Sequence, residues 1–303
     1  MASKALIANT SEIDIAYREF GDPAGLPVLF LHGFPYASEG WDELLERLDP
    51  VKRNLRCIVP AMRGYGETHV KRDELVSGQT AAFAADVFAL ADALHIDRFV
   101  IVGHDWGARA GYAASVLAPE RILAHFALGS PYYMTGAEDA MPPAQVEAYW
   151  YQWYFQTSMG EKVLHENLDA LCEHIWRRWS PSWKFSSREF KQAAESWRNP
   201  QFVRVTLSSY RHRYGNALGR PAYADAQAML DAKPKPSISV PTTFVYGTED
   251  GCILAGSSEE QHKYFTGPYE RVAIKGAGHI PHQEDPRAVT KLLQRFLDDI
   301  QRR

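Results

Sequence analysis

Six short apolar runs recur along the 303-residue chain, each stopping at a glycine or a polar turn. They are VLFLHG (28–33), LRCIVP (55–60), RFVIVG (98–103), ILAHFALG (122–129), TTFVYG (242–247) and YERVAI (269–274). Runs this short and this apolar fit strands buried on both faces of a parallel sheet. Helical patterns lie between several of them. In AAFAADVFALADAL (81–94), Phe83, Val87, Leu90 and Leu94 fall on one face at spacings of three and four. The alternation predicts an α/β fold, a mostly parallel sheet flanked by helices. In EIDIAYREF (12–20), Ile13, Ile15 and Tyr17 alternate, which predicts an antiparallel edge strand.

The pattern breaks between 136 and 236. That stretch has helical character, no convincing buried strand, and six of the eight tryptophans: Trp150, Trp153, Trp176, Trp179, Trp183 and Trp197. It reads as a helical cap (lid) inserted into a core made of 1–135 and 237–303. The proline-rich KPKPSISVP (233–241) serves as the return linker. Much of the aromatic cluster must be the cap's own core.

Composition narrows the function classes. Hydrophobic residues make up 46% and charged residues 23%, ordinary for a globular enzyme, and the formal net charge is −4. Nothing here draws the chain toward nucleic acid or an anionic membrane. The N-terminal MASKALIANTSEIDIAY lacks the long apolar stretch of a secretory leader, and no window resembles a membrane span. Cys57, Cys172 and Cys252 are too scattered for a disulfide framework or a metal site. The expectation is a cytoplasmic protein with no metal and no organic cofactor. The expected partners are a small apolar substrate and water, with a homodimer left open.

In an open parallel sheet, ligands sit at the carboxyl ends of the strands. The polar residues found there are His32 in HGFP, His104 and Asp105 in GHDWG, Glu249 and Asp250 in TEDG, and His279 and His282 in KGAGHIPHQEDP. Gly103-His104-Asp105-Trp106-Gly107 has the Gly-x-Nuc-x-Gly frame of a nucleophile elbow, with Asp where Ser is usual. The chain order nucleophile, acid, histidine follows the α/β-hydrolases. Asp250, at the loop tip before a glycine, is favoured as the orienting acid over Glu249. His279, preceded by Gly276 and Gly278, is favoured as base over His282. His-x-x-His at 279–282 has no further ligand cluster to make it a metal site.

These motifs, with RGYG (63–66) and PERI (119–122), closely resemble the epoxide hydrolase and haloalkane dehalogenase branch of the α/β-hydrolase fold. The likeness covers nearly the whole chain. It implies Asp105 as nucleophile, His279 as base and Asp250 as its partner. It implies oxyanion-hole N–H groups from Phe34 and Trp106, and a cis Phe34–Pro35 bond. YQWYFQ (151–156) and SSYRHRYG (208–215) resemble the cap motifs whose tyrosines polarise an epoxide oxygen. Tyr151 and Tyr210 are the expected pair, with Tyr154 and Tyr214 the near alternatives. Phe34, Trp106, Trp153 and Tyr154 are expected to contact substrate. Arg109 matches one of two carboxylate-binding arginines of fluoroacetate dehalogenases, but the other position is Trp106; Arg109 otherwise anchors its helix.

An aspartate nucleophile has a chemical meaning. Attack by a carboxylate on an acyl carbon gives a labile anhydride, whereas attack on a saturated carbon gives an alkyl ester that water can hydrolyse at the Asp carbonyl. Halide leaves as a stable anion and needs only N–H donors. An opened epoxide leaves as an alkoxide, with a conjugate acid pKa of roughly 16, and needs an acid such as Tyr. Epoxide hydrolysis to a vicinal diol is therefore the expected activity, with dehalogenation of a haloalkane or haloacid as the alternative. A non-catalytic ligand-binding protein on this scaffold would not need a complete Asp105, His279 and Asp250 set.

Overall fold

A computed structural model describes residues 5–132 and 141–302. Among the described residues, nine strands form one sheet: β1 (Leu6–Asn9), β2 (Ile13–Gly21), β3 (Leu26–Leu31), β4 (Leu55–Pro60), β5 (His69–Val70), β6 (Phe99–His104), β7 (Ile122–Leu128), β8 (Thr242–Gly247) and β9 (Tyr269–Ile274). The order is β1-β2-β4-β3-β6-β7-β8-β9, with the short β5 paired to β2. β2 runs antiparallel to its neighbours; from β4 to β9 the pairing is parallel.

The helices of the core are α1 (Asp42–Leu48), α2 (Thr80–Ala93) and α3 (Trp106–Leu117). Six follow β7: α4 (Pro143–Ala148), α5 (Trp150–Tyr154), α6 (Ser158–Glu166), α7 (Leu168–Trp179), α8 (Ser187–Ser196) and α9 (Phe202–Arg213). Then come α10 (Ala224–Asp231), α11 (Pro281–Glu284) and α12 (Pro286–Gln301).

The central strands are apolar on both faces because both faces are covered. In β3 and β6, Val28, Phe30, Val100 and Val102 pack toward the side covered by α1 and α12, while Leu29, Leu31, Phe99 and Ile101 pack toward α2 and α3. On α12, Val289, Leu293, Phe296 and Leu297 form the buried stripe. Its start is set by Asp285, whose carboxylate accepts from Ala288 N at 2.9 Å, and by Pro286 in the first turn. Removing that cap by Asp285→Ala should cost about 1 kcal/mol.

The fold differs from the sequence expectation at three places. β2 is antiparallel as expected but is not the edge, since β1 pairs outside it. β1 escaped notice because it is only four residues long and its Leu6 and Ile7 are exposed. The run 269–274 is not buried on both faces: β9 is the far edge, and Glu270 and Ala273 are exposed. The expected cap of 136–236 includes α10, yet α10 packs on α2 and α3. Gln227 of α10 accepts from Ala81 N at 3.1 Å, capping α2. The helices over the strand ends are thus α4 to α9. The expected boundary at 135/136 lies outside the described residues.

Candidate active site

Asp105 sits between β6 and α3 with φ 51° and ψ −113°, a conformation costly for any residue with a side chain. Its surroundings make the turn obligatory. A Cβ on Gly103 would lie 2.5 Å from Gly107 O, and one on Gly107 would lie 2.1 Å from Leu31 O. Asp105 N donates to Leu128 O at 3.1 Å, pinning the elbow to β7. The side chain lies over the N-terminus of α3, where unpaired backbone N–H groups favour an anion.

The HGFP turn after β3 closes on the carboxylate. Phe34 N donates to Asp105 Oδ1 at 2.9 Å. A Cβ on Gly33 would stand 2.5 Å from the same oxygen, so only glycine allows this approach. The Phe34–Pro35 bond is cis. His32 is structural: Met62 N donates to its Nε2 at 3.0 Å, leaving Nδ1–H for Gly33 O at 3.1 Å. Burial lowers its pKa to about 4, so it stays neutral.

His279 lies between two carboxylates. Its Nδ1 is 2.8 Å from Asp250 Oδ2, and its Nε2 is 3.7 Å from Asp105 Oδ2. The first contact is a hydrogen bond and the second is too long to be one. Asp250 is held in turn by Cys252 N and Ile253 N, which donate to Oδ1 at 2.7 and 2.9 Å. Burial disfavours charge on His279, but Asp250 and Asp105 more than offset it and push the pKa up to about 10. Asp105 is likewise disfavoured as an anion by burial, yet His279 and the Phe34 N–H bring its pKa below the usual carboxylate value. Both shifts favour the charged forms, a carboxylate facing an imidazolium.

The alternatives for these two positions point elsewhere. Glu249 is exposed and bonds Ser182 of the α7–α8 connection. His282 is buried with its ring stacked on Trp41, centroids 4.0 Å apart.

Tyr151 and Tyr210 come together from α5 and α9, ring centroids 5.4 Å apart, both buried. Trp106 Nε1 donates to Tyr210 OH at 3.1 Å, and Gln152 Nε2 donates to Tyr151 OH at 2.7 Å. Burial raises both phenol pKa values, with Asp105 adding to the effect. The Phe34 ring packs against Tyr151, Tyr210, Phe155, Trp179 and Phe202, with centroids 5.5–6.5 Å away.

Two expected substrate contacts fall outside this cluster. Trp153 lies about 200° around α5 from Tyr151. It is half-buried, donates to Val146 O at 3.0 Å and packs on Tyr214. Tyr154 is also half-buried, and its ring packs on Trp150. Arg109, one turn after Asp105, lays its guanidinium over the Trp106 ring at 5.4 Å. RGYG and PERI serve the scaffold. Arg63 bonds both Asp86 oxygens at 2.6 Å, and Arg121 reaches Asp92 at 2.7 Å and Ile96 O at 2.8 Å.

Sequence reasoning did not assign the residues that hold the loops carrying Asp105, Asp250 and His279. Trp179 O, at the end of α7, accepts from both Gly251 N at 3.0 Å and His279 N at 3.1 Å. Trp176 Nε1 donates to Pro35 O at 3.0 Å. One end of one cap helix therefore stitches the acid loop, the base loop and the HGFP turn together. Glu284 brackets His279: its carboxylate accepts from Gly278 N at 2.7 Å, Ile280 N at 3.0 Å and Ser180 Oγ at 2.6 Å. His104 Nε2 donates to His279 O at 2.9 Å. Gln145 of α4 bonds Cys252 O and Leu254 N across the acid loop at 2.8 and 3.0 Å. Of these, only Glu284 in HQEDP lay within a motif the sequence singled out for the base loop.

Residues 27–286 match the alpha/beta hydrolase fold family, and the chain belongs to it. A crystal structure of a Klebsiella pneumoniae protein, provisionally assigned as an epoxide hydrolase, superposes with a TM-score of 0.88. That protein is 32% identical, over 99% of this chain and 98% of its own. Epoxide hydrolase A of Mycobacterium tuberculosis is 26% identical over 98% of both chains. A fluoroacetate dehalogenase of a Burkholderia species is 28% identical over 62% of each. Among the described residues, no helix is long and apolar enough to cross a membrane.

Proposed function

We propose that the protein hydrolyses an apolar epoxide to a vicinal diol through an ester on Asp105. The observation that carries this reading is the Trp106–Tyr210 hydrogen bond of 3.1 Å. The indole N–H is the donor nearest the nucleophile in sequence that could solvate a departing halide, and here it is committed to the phenol oxygen. With that lone pair filled, the Tyr210 proton is left to face the site. Two buried phenols suit a leaving alkoxide; a halide has no use for their protons. The aromatic surround of Phe34, Trp179 and Phe202 suits an apolar ring or chain on the substrate.

The geometry supports the following chemistry. Phe34 N–H holds Asp105 Oδ1, leaving Oδ2 to attack the epoxide carbon as its C–O bond breaks. Tyr151 and Tyr210 stabilise the alkoxide, and one of them gives it a proton, becoming a phenolate. Alkylation removes the Asp105 charge, so His279 loses one of the two anions that kept it protonated; its proton passes by way of water to the phenolate, restoring the phenol and leaving a neutral imidazole. The neutral imidazole then takes a proton from water as that water attacks the Asp105 carbonyl carbon. The oxyanion forms on Oδ1, facing the Phe34 N–H and the Trp106 N–H at the start of α3. Collapse expels the diol oxygen, the carboxylic acid gives its proton to it, and the carboxylate–imidazolium pair is restored.

The test is a rapid-mixing comparison of styrene-type epoxides, alkyl halides and fluoroacetate, with the parent and a Tyr151→Phe/Tyr210→Phe double variant. Diol formation by the parent and a loss of about 10² to 10⁴ in epoxide alkylation by the variant are expected. A parent that released halide quickly and ignored every epoxide would overturn the reading, as would a double variant with the parent rate on epoxides.

A further inference from the structure

The Tyr151 phenol is one end of a chain of polar groups that reaches away from the nucleophile. Gln152 Nε2 donates to Tyr151 OH at 2.7 Å, and Tyr214 OH donates to Gln152 Oε1 at 2.7 Å. Beyond Tyr214 stands Arg213, whose guanidinium lies 5.6 Å from the Tyr214 ring centre and 5.6 Å from that of Tyr149. Gln152 is buried, and Tyr214 and Arg213 are half-buried.

A carboxamide between two phenols can in principle point either way, because each hydroxyl can donate or accept. The arginine removes that freedom. A guanidinium is a fixed positive charge, so near Tyr214 it favours the hydroxyl oxygen toward itself and the proton turned away. Burial raises the Tyr214 pKa, and the charge of Arg213 opposes that. The Tyr214 proton must then go to an acceptor, which is Gln152 Oε1. The amide's other end is left to donate to Tyr151. With its oxygen receiving that N–H, Tyr151 can only send its own proton onward. In the resting site it faces Tyr210 and, at 3.5 Å, Cys252 Sγ, a weak acceptor.

We propose that Arg213, Tyr214 and Gln152 form a one-way donor relay that aims the Tyr151 hydroxyl proton at the leaving oxygen of the substrate. The inference rests on the epoxide reading above. Gln152 and Tyr214 are positioning residues: neither touches the reacting atoms. Their effect is confined to the step in which the epoxide C–O bond breaks and the alkoxide takes up a proton. Bonds in such a chain polarise one another, so a charged origin strengthens the final donor.

The experiment is single-turnover kinetics with a styrene-type epoxide, following alkylation by rapid-quench intact-protein mass and ester hydrolysis by the decay of that mass. Gln152→Leu and Tyr214→Phe should each slow alkylation by about tenfold, part of the full 10² to 10⁴ of general acid help. Hydrolysis of the ester should keep the parent rate. The double variant should be no worse than the slower single one, because both cut the same chain. Gln152→Glu, which as a carboxylate can only accept, should capture the Tyr151 proton and slow alkylation at least as much. The loss should shrink for a trifluoromethyl-substituted epoxide, whose alkoxide is a weaker base. Gln152→Leu alkylating at or above the parent rate would mean the amide points the other way and would overturn the relay. Equal slowing of both steps, in Tyr214→Phe as in Gln152→Leu, would mark a packing defect and overturn it too. A parent that forms no ester with any epoxide would instead fail the proposed function, before any variant is compared.

Discussion

His279 Nε2 faces Asp105 Oδ2 across 3.7 Å, while its Nδ1 is bound to Asp250 at 2.8 Å. The unequal spacing separates two tasks. The short contact fixes the ring; in the proposed mechanism the long one keeps His279 from being tied to the group it must later attack through water. With Nε2 committed to no direct bond, a water molecule bonded to it would lie beside the Asp105 carbonyl carbon.

The first prediction concerns the ester. His279→Gln removes the base but leaves the Asp105 carboxylate and both phenols. Alkylation should proceed and hydrolysis should stop, so intact-protein mass should rise by the mass of one epoxide and stay there. Full steady-state turnover by this variant would move the base to another residue.

Asp250→Asn should slow ester hydrolysis by about 10² to 10⁴, because the imidazole loses both its anchor and the anion that stabilises its cation. Glu249→Gln should change the rate little, since Glu249 is exposed and bonded to Ser182. Single-turnover hydrolysis rates for the two variants settle the assignment, and a larger loss for Glu249→Gln would reverse it.

The raised pKa of His279 carries a stability consequence. Its pKa is near 10 in the folded protein and about 6.5 in an unfolded chain. The folded state therefore holds the proton more tightly. The stabilisation is fully present below pH about 6.5 and is lost as pH rises through about 10. Thermal unfolding from pH 6.5 to 10.5 should show a falling Tm in the parent. The fall should be smaller in His279→Gln, and parallel curves would exclude the carboxylate–imidazolium pair.

Gly33→Ala should damage catalysis more than stability. The new Cβ would lie 2.4 Å from Asp105 Cβ and 2.5 Å from Oδ1, so the nucleophile or the Phe34 N–H must move. Displacements of this size near a reacting group cost on the order of 10² in rate. Circular dichroism and kcat together check it; a folded variant with the parent kcat would show that the close approach is dispensable.

The sheet was legible in the chain because burial on both faces demands continuous apolar runs, and the strand ends then name the loops that carry Asp105, Asp250 and His279. The elbow was legible because the backbone approaches at Gly103 and Gly107 admit no side chain. Sequence pattern was silent where the deciding contact is remote. Nothing local to Trp179 announces that its carbonyl joins Gly251 and His279, loops 72 and 100 residues further along the chain. The resemblance of YQWYFQ singles out Tyr151, but its pattern does not say that Gln152 is buried beside it while Trp153 packs on Tyr214, because a five-residue helix shows too little periodicity to define a face. The same holds for α10, whose Gln227 reaches back across 146 residues to Ala81 N and places the helix on the core. Local chemistry and burial are encoded residue by residue. Which face meets which, and which hydroxyl receives a donor and so must give its own proton away, are set only when distant segments pack.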